Sequence, residues 1–199
     1  MIRLRLRGFA NLRGGHWANL ALNLTREDVA EGFDLPGATV PAGRYDGWDA
    51  FGYVGLSQAR AVGAGLQLWG GTAFDGWRAN VVLEPWWRIN RHLTLGGMLS
   101  LNRLWFPDRD QTVNADQVRF RVSAALDTHL SAEAFVQYSA AARVVSTNVR
   151  IRYRFAEGRD LYLVLDEGRD LEDRHGLDSA ILGRTDRRLL LKYSWAFRP

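Results

Sequence analysis

Residues 149–155 read Val, Arg, Ile, Arg, Tyr, Arg, Phe: an apolar file and an arginine file, interleaved. Residues 189–197 repeat the idea, with Leu, Leu, Tyr, Trp and Phe at the odd positions and mostly polar or small residues between them. A strand turns successive side chains to opposite faces, so each segment predicts one apolar and one polar face. The same period of two recurs over residues 2–7, 18–24, 62–69, 77–84, 92–102, 117–126, 132–138 and 161–166, and less regularly over 48–56. Helical spacing explains none of these segments as well. The prediction is eleven strands, the fifth ended by Pro85, and an all-β, antiparallel, up-and-down transmembrane β-barrel of about 11–12 strands in this chain.

The connections alternate in character. Residues 25–47, 107–115 and 167–186 read as long polar loops, whereas those after the fifth, seventh and ninth strands are short. Outer-membrane barrels pair short periplasmic turns with long external loops, so the last strand is expected to run inward. Counting back, the first strand also runs inward and begins outside. Met1–Arg7 lacks the apolar stretch of a signal peptide. With an odd strand count, this gives the expectation of a single barrel domain, residues 1–199, forming the C-terminal part of a longer chain and of a larger barrel. The last strand is then a seam whose partner lies elsewhere, and these 199 residues alone are expected to close poorly.

Alternation alone fits two arrangements: a soluble sandwich with its apolar file inside, or a membrane barrel with its apolar file against lipid. The aromatics favour the second. Trp17, Trp86, Trp87, Trp195 and Phe197 fall at the expected periplasmic strand ends. Tyr45, Trp48, Trp69, Phe74, Trp77, Trp105 and Phe106 fall at the external ends. Two such girdles mark the two membrane interfaces, for which Trp77, Trp86, Trp87, Trp105, Trp195 and Phe197 are the principal candidates.

Average properties are less telling. The mean hydropathy of −0.23 and 24% charged residues look soluble, but alternating strands cancel in any average. No run of about 18 apolar residues exists, so no helix crosses a membrane. Without cysteine there is neither a disulfide framework nor a thiolate metal site. The net charge is +4, and Lys192 is the one lysine; every other basic residue is arginine. Arginine holds its charge in partly buried networks better than lysine does. Spread along alternating strands, these arginines make no single patch for nucleic acid, so no nucleic-acid partner is expected.

Arg119, Arg121, Arg150, Arg152 and Arg154, with Glu133, are the candidate lumen-lining residues. One consequence would be an electropositive pore favouring anionic solutes. The other is an internal ladder in which Glu84, Asp116, Glu133 and Asp166 neutralise the arginines. His16, His92, His129 and His175 lack ligand spacing and read as turn or wall residues. No serine sits in a Gly-x-Ser-x-Gly elbow. Neither catalysis, metal nor cofactor is therefore expected, and an outer-membrane hydrolase is the weaker second alternative. The first alternative is a soluble β-sandwich or barrel acting as a carbohydrate-binding module. The long loops could bind polysaccharide or calcium, though such loops are more often simply solvated.

The segments Ala134-Phe135-Val136-Gln137-Tyr138, Ser146-Thr147-Asn148-Val149-Arg150-Ile151-Arg152-Tyr153-Arg154-Phe155 and Asp160-Leu161-Tyr162-Leu163-Val164, with Glu167-Gly168-Arg169-Asp170, form a recognisable set. Residues 130–198 resemble the C-terminal end of a bacterial outer-membrane family of unknown function. Its members carry an N-terminal carbohydrate-binding, family 9-like domain before a large barrel. The resemblance implies an outer-membrane location, outer-membrane lipid and the barrel-insertion machinery as partners, polysaccharide or a missing N-terminal domain as further ones, and no catalytic residues. Arg198 and Pro199 follow Phe197, a departure from the aromatic chain end common in such barrels.

Overall fold

The alternating segments form strands, and the strands pair with their sequence neighbours. The computed structural model describes residues 2–171 and 185–196. The first half of the chain gives β1 (Ile2–Leu12), β2 (His16–Val29), the short β3 (Phe33–Leu35) and β4 (Ala38–Val40), β5 (Gly43–Gly55), β6 (Val62–Ala73), β7 (Gly76–Arg88) and β8 (Leu93–Phe106). The second half gives β9 (Gln111–Asn114), β10 (Gln117–Ala125), β11 (Leu130–Ser139), β12 (Val144–Ala156), β13 (Arg159–Asp170) and β14 (Thr185–Trp195). Eleven long strands follow one another as β1-β2-β5-β6-β7-β8-β10-β11-β12-β13-β14, with β9 paired to β8 and β3 to β4. The one helical element among the described residues is a single 3-10 turn, Pro107–Arg109. The fold is all-β, antiparallel and up-and-down.

Two compact units divide the chain: Met1–Pro85 with Met98–Asp116, and Trp86–Gly97 with Gln117–Pro199. In the first, β1 and β2 run in register from Ile2↔Arg26 to Leu12↔His16, through a turn where Gly14 and Gly15 both take positive φ (82° and 75°). A side chain disfavours that conformation and glycine does not. β2 then pairs with β5 from Trp17↔Gly55 to Val29↔Gly43. Burial alternates along β2: Asn19, Ala21 and Asn23 are buried, while Leu20, Leu22 and Leu24 are exposed. The polar file is the buried one.

In the second unit the same period governs β10 to β14. Ala124, Ala132, Ile151, Leu163 and Leu191 line up across five strands, and Phe120 lies opposite Val136. Val136, Ile151, Leu163, Leu189 and Leu191 are all exposed, the last two at 67% and 71%. Conventional core is scarce: among the described residues the buried hydrophobic side chains are Ala21, Ala38, Val40 and Phe106. A soluble sandwich requires the opposite arrangement, with the apolar file inside.

Four expectations about element ends are corrected. Pro85 does not stop its strand, since β7 continues to Arg88. Proline forfeits one N–H, but its fixed φ lies close to that of extended backbone. The supposed loop 25–47 is largely paired: β2 reaches Val29, β5 starts at Gly43, and β3 and β4 form a hairpin between them. Cross-strand ion pairs, Arg26 to Asp46 at 2.6 Å and Arg44 to Asp28 at 2.8 Å, replace apolar contacts there, so hydropathy lost the strand while pairing kept it. Likewise β9 lies within the supposed loop 107–115, and β13 reaches Asp170 while β14 starts at Thr185 in the supposed loop 167–186. His175, Phe197, Arg198 and Pro199 lie outside the described residues.

Candidate functional site

Register assigns each candidate arginine to a face. Across β10 to β14 one row reads Arg121, Phe135, Asn148, Asp166, Arg188, and the next Arg119, Gln137, Ser146, Gly168, Asp186. Two further rows read Ser123, Glu133, Arg150, Val164, Leu190 and Ala125, Ser131, Arg152, Tyr162, Lys192. Arg119, Arg121, Glu133, Arg150 and Arg152 therefore share one face, with Arg154 continuing it, and the exposed apolar file occupies the other. Backbone pairing brings these residues together; the period of two is what made them legible.

Their partners differ from the expected ladder. Arg152 and Arg154 converge on Asp160 at 2.9 and 3.4 Å. Arg119 donates to Gln137 and lies 5.7 Å from the Phe135 ring centre. Glu133 and Arg150 stand opposite one another in register yet form no ion pair among the described residues. Asp166 accepts from Asn148, and Asp116 binds Arg103. Arg121, Arg150 and Arg188 have no hydrogen bond or ion pair among the described residues. Three guanidinium groups on this face therefore stay available to solutes. A cleft of about 330 Å³ opens at Arg188, lined in part by Phe135, Ser146, Asn148 and Asp166 as well.

On the polar face of the first unit, Asp49 is 1% exposed and accepts from three side chains on three strands. Asn23 Nδ2 donates at 2.5 Å, Trp69 Nε1 at 2.8 Å and Arg78 Nη2 at 2.7 Å. Arg78 also lies over the Trp69 ring at 4.2 Å. A buried carboxylate is tolerated only when paired and hydrogen-bonded, and this one is both. A chain of amides continues the network: Asn80 Nδ2 donates to Asn102 Oδ1 at 2.5 Å, and Asn102 Nδ2 to Ser100 Oγ at 3.1 Å. Nothing in the sequence singled out Asp49, because its partners come from β2, β6 and β7.

The outward file shows where the apolar band ends. Leu20, Leu22 and Leu24 give way along β2 to Arg26 and Asp28, each ion-paired across to β5. Trp48 stands opposite Leu24 at that boundary and meets Trp77 edge-on, ring centres 6.4 Å apart. In the second unit, Leu189, Leu191, Tyr193 and Trp195 form the band on β14, while Glu167 and Arg187 pair at 2.9 Å beyond it. Of the girdle candidates, Trp48, Trp77, Trp87, Trp105 and Trp195 are exposed and Trp86 is partly buried. Trp17 and Trp69 belong instead to the polar face. Trp17 stacks on Tyr53 at 4.2 Å above Gly55, and Trp69 binds Asp49. Tyr45, Phe74 and Phe106 join a packed cluster rather than a girdle.

Beyond the band, the hydrogen bond from Arg26 holds the Asp46 carboxyl below its ordinary range, and that from Arg44 does the same for Asp28. In the turn after β10, backbone N–H groups of Leu130 and His129 lower Asp127. The histidines serve backbone. His16 accepts from Ser57 N–H, and the rings of His92 and His129 meet the carbonyls of Ala125 and Arg154. No group of metal-ligating side chains gathers among the described residues.

No known protein family matches the chain, and no curated protein sequence does. Among solved structures it is similar to the NanC porin, at 11% identity, covering 98% of this chain and 93% of that one with a TM-score of 0.43. It is also similar to the KdgM porin in complex with disordered oligogalacturonate, at 8% identity, 98% and 92% coverage and a TM-score of 0.40.

Proposed function

We propose that this chain is an outer-membrane β-barrel protein forming a pore that favours anionic solutes, carbohydrate acids included. One observation carries the proposal: the apolar file is exposed along the strands, and on β2 and β5 the polar file is the buried one. Large contiguous apolar surface on a water-soluble protein is an aggregation hazard, whereas on a membrane strand it is the lipid contact. Strands of 9–14 residues suit a bilayer crossing, which takes about 9–11 residues at a tilt of about 45°. Ion pairs and tryptophans at the band edges fit the headgroup layer. Outer-membrane lipid and the barrel-insertion machinery are the partners this implies. The carbohydrate-binding domain and surface polysaccharide suggested by residues 130–198 remain part of the same proposal.

Anion preference follows from Arg121, Arg150 and Arg188, which no carboxylate neutralises among the described residues. No chemistry is assigned. A carbohydrate-binding module of sandwich type would need its apolar file inside, and Leu4, Leu6, Leu20 and Leu191 are each more than 60% exposed. In planar bilayers under a salt gradient, the reversal potential is expected on the anion side, and Arg121→Glu with Arg150→Glu should move it towards cations. Cation preference in the wild type overturns the proposal.

A further inference from the structure

Loops beyond a membrane band are usually solvated, yet the best-buried apolar side chains here sit in one. The segment joining β2 to β5 carries the β3–β4 hairpin, in which Ala38 is 5% and Val40 0% exposed. Both pack on Phe106, 1% exposed, with Tyr45, Leu104 and Val113 around them. The period of two tells which face the hairpin covers. Tyr45 precedes buried Asp49 by four residues on β5, and Leu104 and Phe106 continue the file of Ser100 and Asn102 on β8. The hairpin therefore lies on the polar, inner face. Its level is the row Glu27↔Tyr45, between the outward ion pairs Arg26–Asp46 and Arg44–Asp28 that mark the end of the apolar band. That is the mouth.

Several contacts hold it there. Thr39 N–H donates to Gln111 Oε1 at 3.2 Å, and a Cβ placed on Gly37 would stand 3.1 Å from the Thr112 carbonyl, so the hairpin tip lies directly on β9. Phe33 and Tyr45 each meet Phe74 edge-on, at 5.6 and 5.5 Å. Phe74 itself has a positive φ of 56°, a conformation a bulky residue adopts only when its surroundings impose it. Beneath, Arg109 grips both oxygens of Asp75 at 2.5 and 2.9 Å while lying 4.5 Å over the Phe106 ring. A merely solvated loop would show no such core.

We infer that residues 33–40 form an inward-docked hairpin that narrows the mouth of the pore and sets the size of solute it admits. This rests on the pore reading above and adds a specificity-determining element to it. Because the chain has no cysteine or other handle at this site, two substitutions serve as tests. Val40→Asp buries a charge where Val40 is fully enclosed and should undock the hairpin. Replacing residues 33–40 by a short Gly-Ser linker removes it. Single-channel conductance and the largest oligosaccharide that still enters, read from polymer-exclusion measurements, should both rise, conductance by roughly twofold or more as the constriction widens.

Heat-modifiable migration on a gel reports whether each variant folds; if Val40→Asp does not, the linker variant decides. A silent wild type beside a conducting linker variant supports the inference in its strongest form, a hairpin that plugs. Unchanged conductance and cut-off in a folded, conducting linker variant overturn the inference while leaving the pore intact. Silence in wild type and linker variant alike overturns both.

Discussion

Single residues matter most where charge is buried. Asp49 accepts from Asn23, Trp69 and Arg78 at 1% exposure, so its removal leaves the Arg78 guanidinium without its carboxylate. Breaking a buried pair from one side costs about 3–5 kcal/mol, and Arg78 is about one-third exposed, which favours the lower end. Asp49→Ala should therefore destabilise the folded state by about 3 kcal/mol, read as a lower midpoint in denaturant titration. Trp69→Phe, which loses one hydrogen bond but keeps an aromatic ring under Arg78, should cost about 1 kcal/mol. Equal effects of the two would mean that Asp49 is not the centre of the network. A different test applies to the exposed carboxylates Asp28 and Asp46. Their folded-state pKa values are lowered, so what they contribute is present above the ordinary carboxylate range and is lost as pH falls through the lowered values. Carboxyl-carbon NMR titration should place both midpoints below about 3.9, the ordinary aspartate value. Midpoints above it would exclude the cross-strand pairs.

At the scale of elements, the sequence revealed the middles of strands and hid their ends. From residue 149 to 155 apolar residues strictly alternate with arginine, and β12 is there, in register with both neighbours as far as Tyr153. Residues 26–29 and 43–46 carry the same extended backbone, but their outward positions hold Arg26, Asp28, Arg44 and Asp46, which hydropathy reads as loop. Complementary charge opposite charge is visible only once the register is known. That Arg119, Arg121, Glu133, Arg150 and Arg152 share a face was legible because period two needs no partner to be seen. The Asp49 network was not, since its members are spaced across β2, β5, β6 and β7. The docked hairpin was hidden for a third reason: Ala38 and Val40 are small, isolated apolar residues among Pro, Gly and acids, a composition typical of solvated loops. The glycines at Gly55 and Gly65 supply one more element-level expectation. A Cβ at Gly55 would come within 2.7 Å of Trp17 Nε1, and one at Gly65 within 2.6 Å of the Tyr53 hydroxyl. Gly55→Val should displace the Trp17–Tyr53 stack, seen as a loss of near-ultraviolet circular dichroism, while Gly52→Val, where the neighbour is the outward Leu20 side chain, should leave that signal unchanged.

An inversion of faces organises the molecule. Alternation built eleven long strands with one apolar and one polar face, and in the first compact unit burial then chose the polar face. Nothing in hydropathy could have made that choice, because the same sequence pattern serves a sandwich core equally well. The first unit buries its polar file and both units leave their apolar file exposed, which is why the membrane is the environment that fits the fold. The proposed anion preference rests on arginines left unneutralised on the polar face, and the proposed size selectivity on the hairpin.

Because the chain has no native cysteine, single cysteines can carry spin labels one at a time along a strand. In lipid vesicles, labels at Leu20, Leu22 and Leu24 are expected to collide with oxygen, which concentrates in the bilayer. Labels at the intervening Asn19, Ala21 and Asn23 are expected to be shielded from it. A two-residue period with oxygen access peaking on the leucines is the result the inverted faces predict. Peak access to a water-soluble nickel chelate on those same leucines, with the asparagines shielded from both reagents, would contradict them.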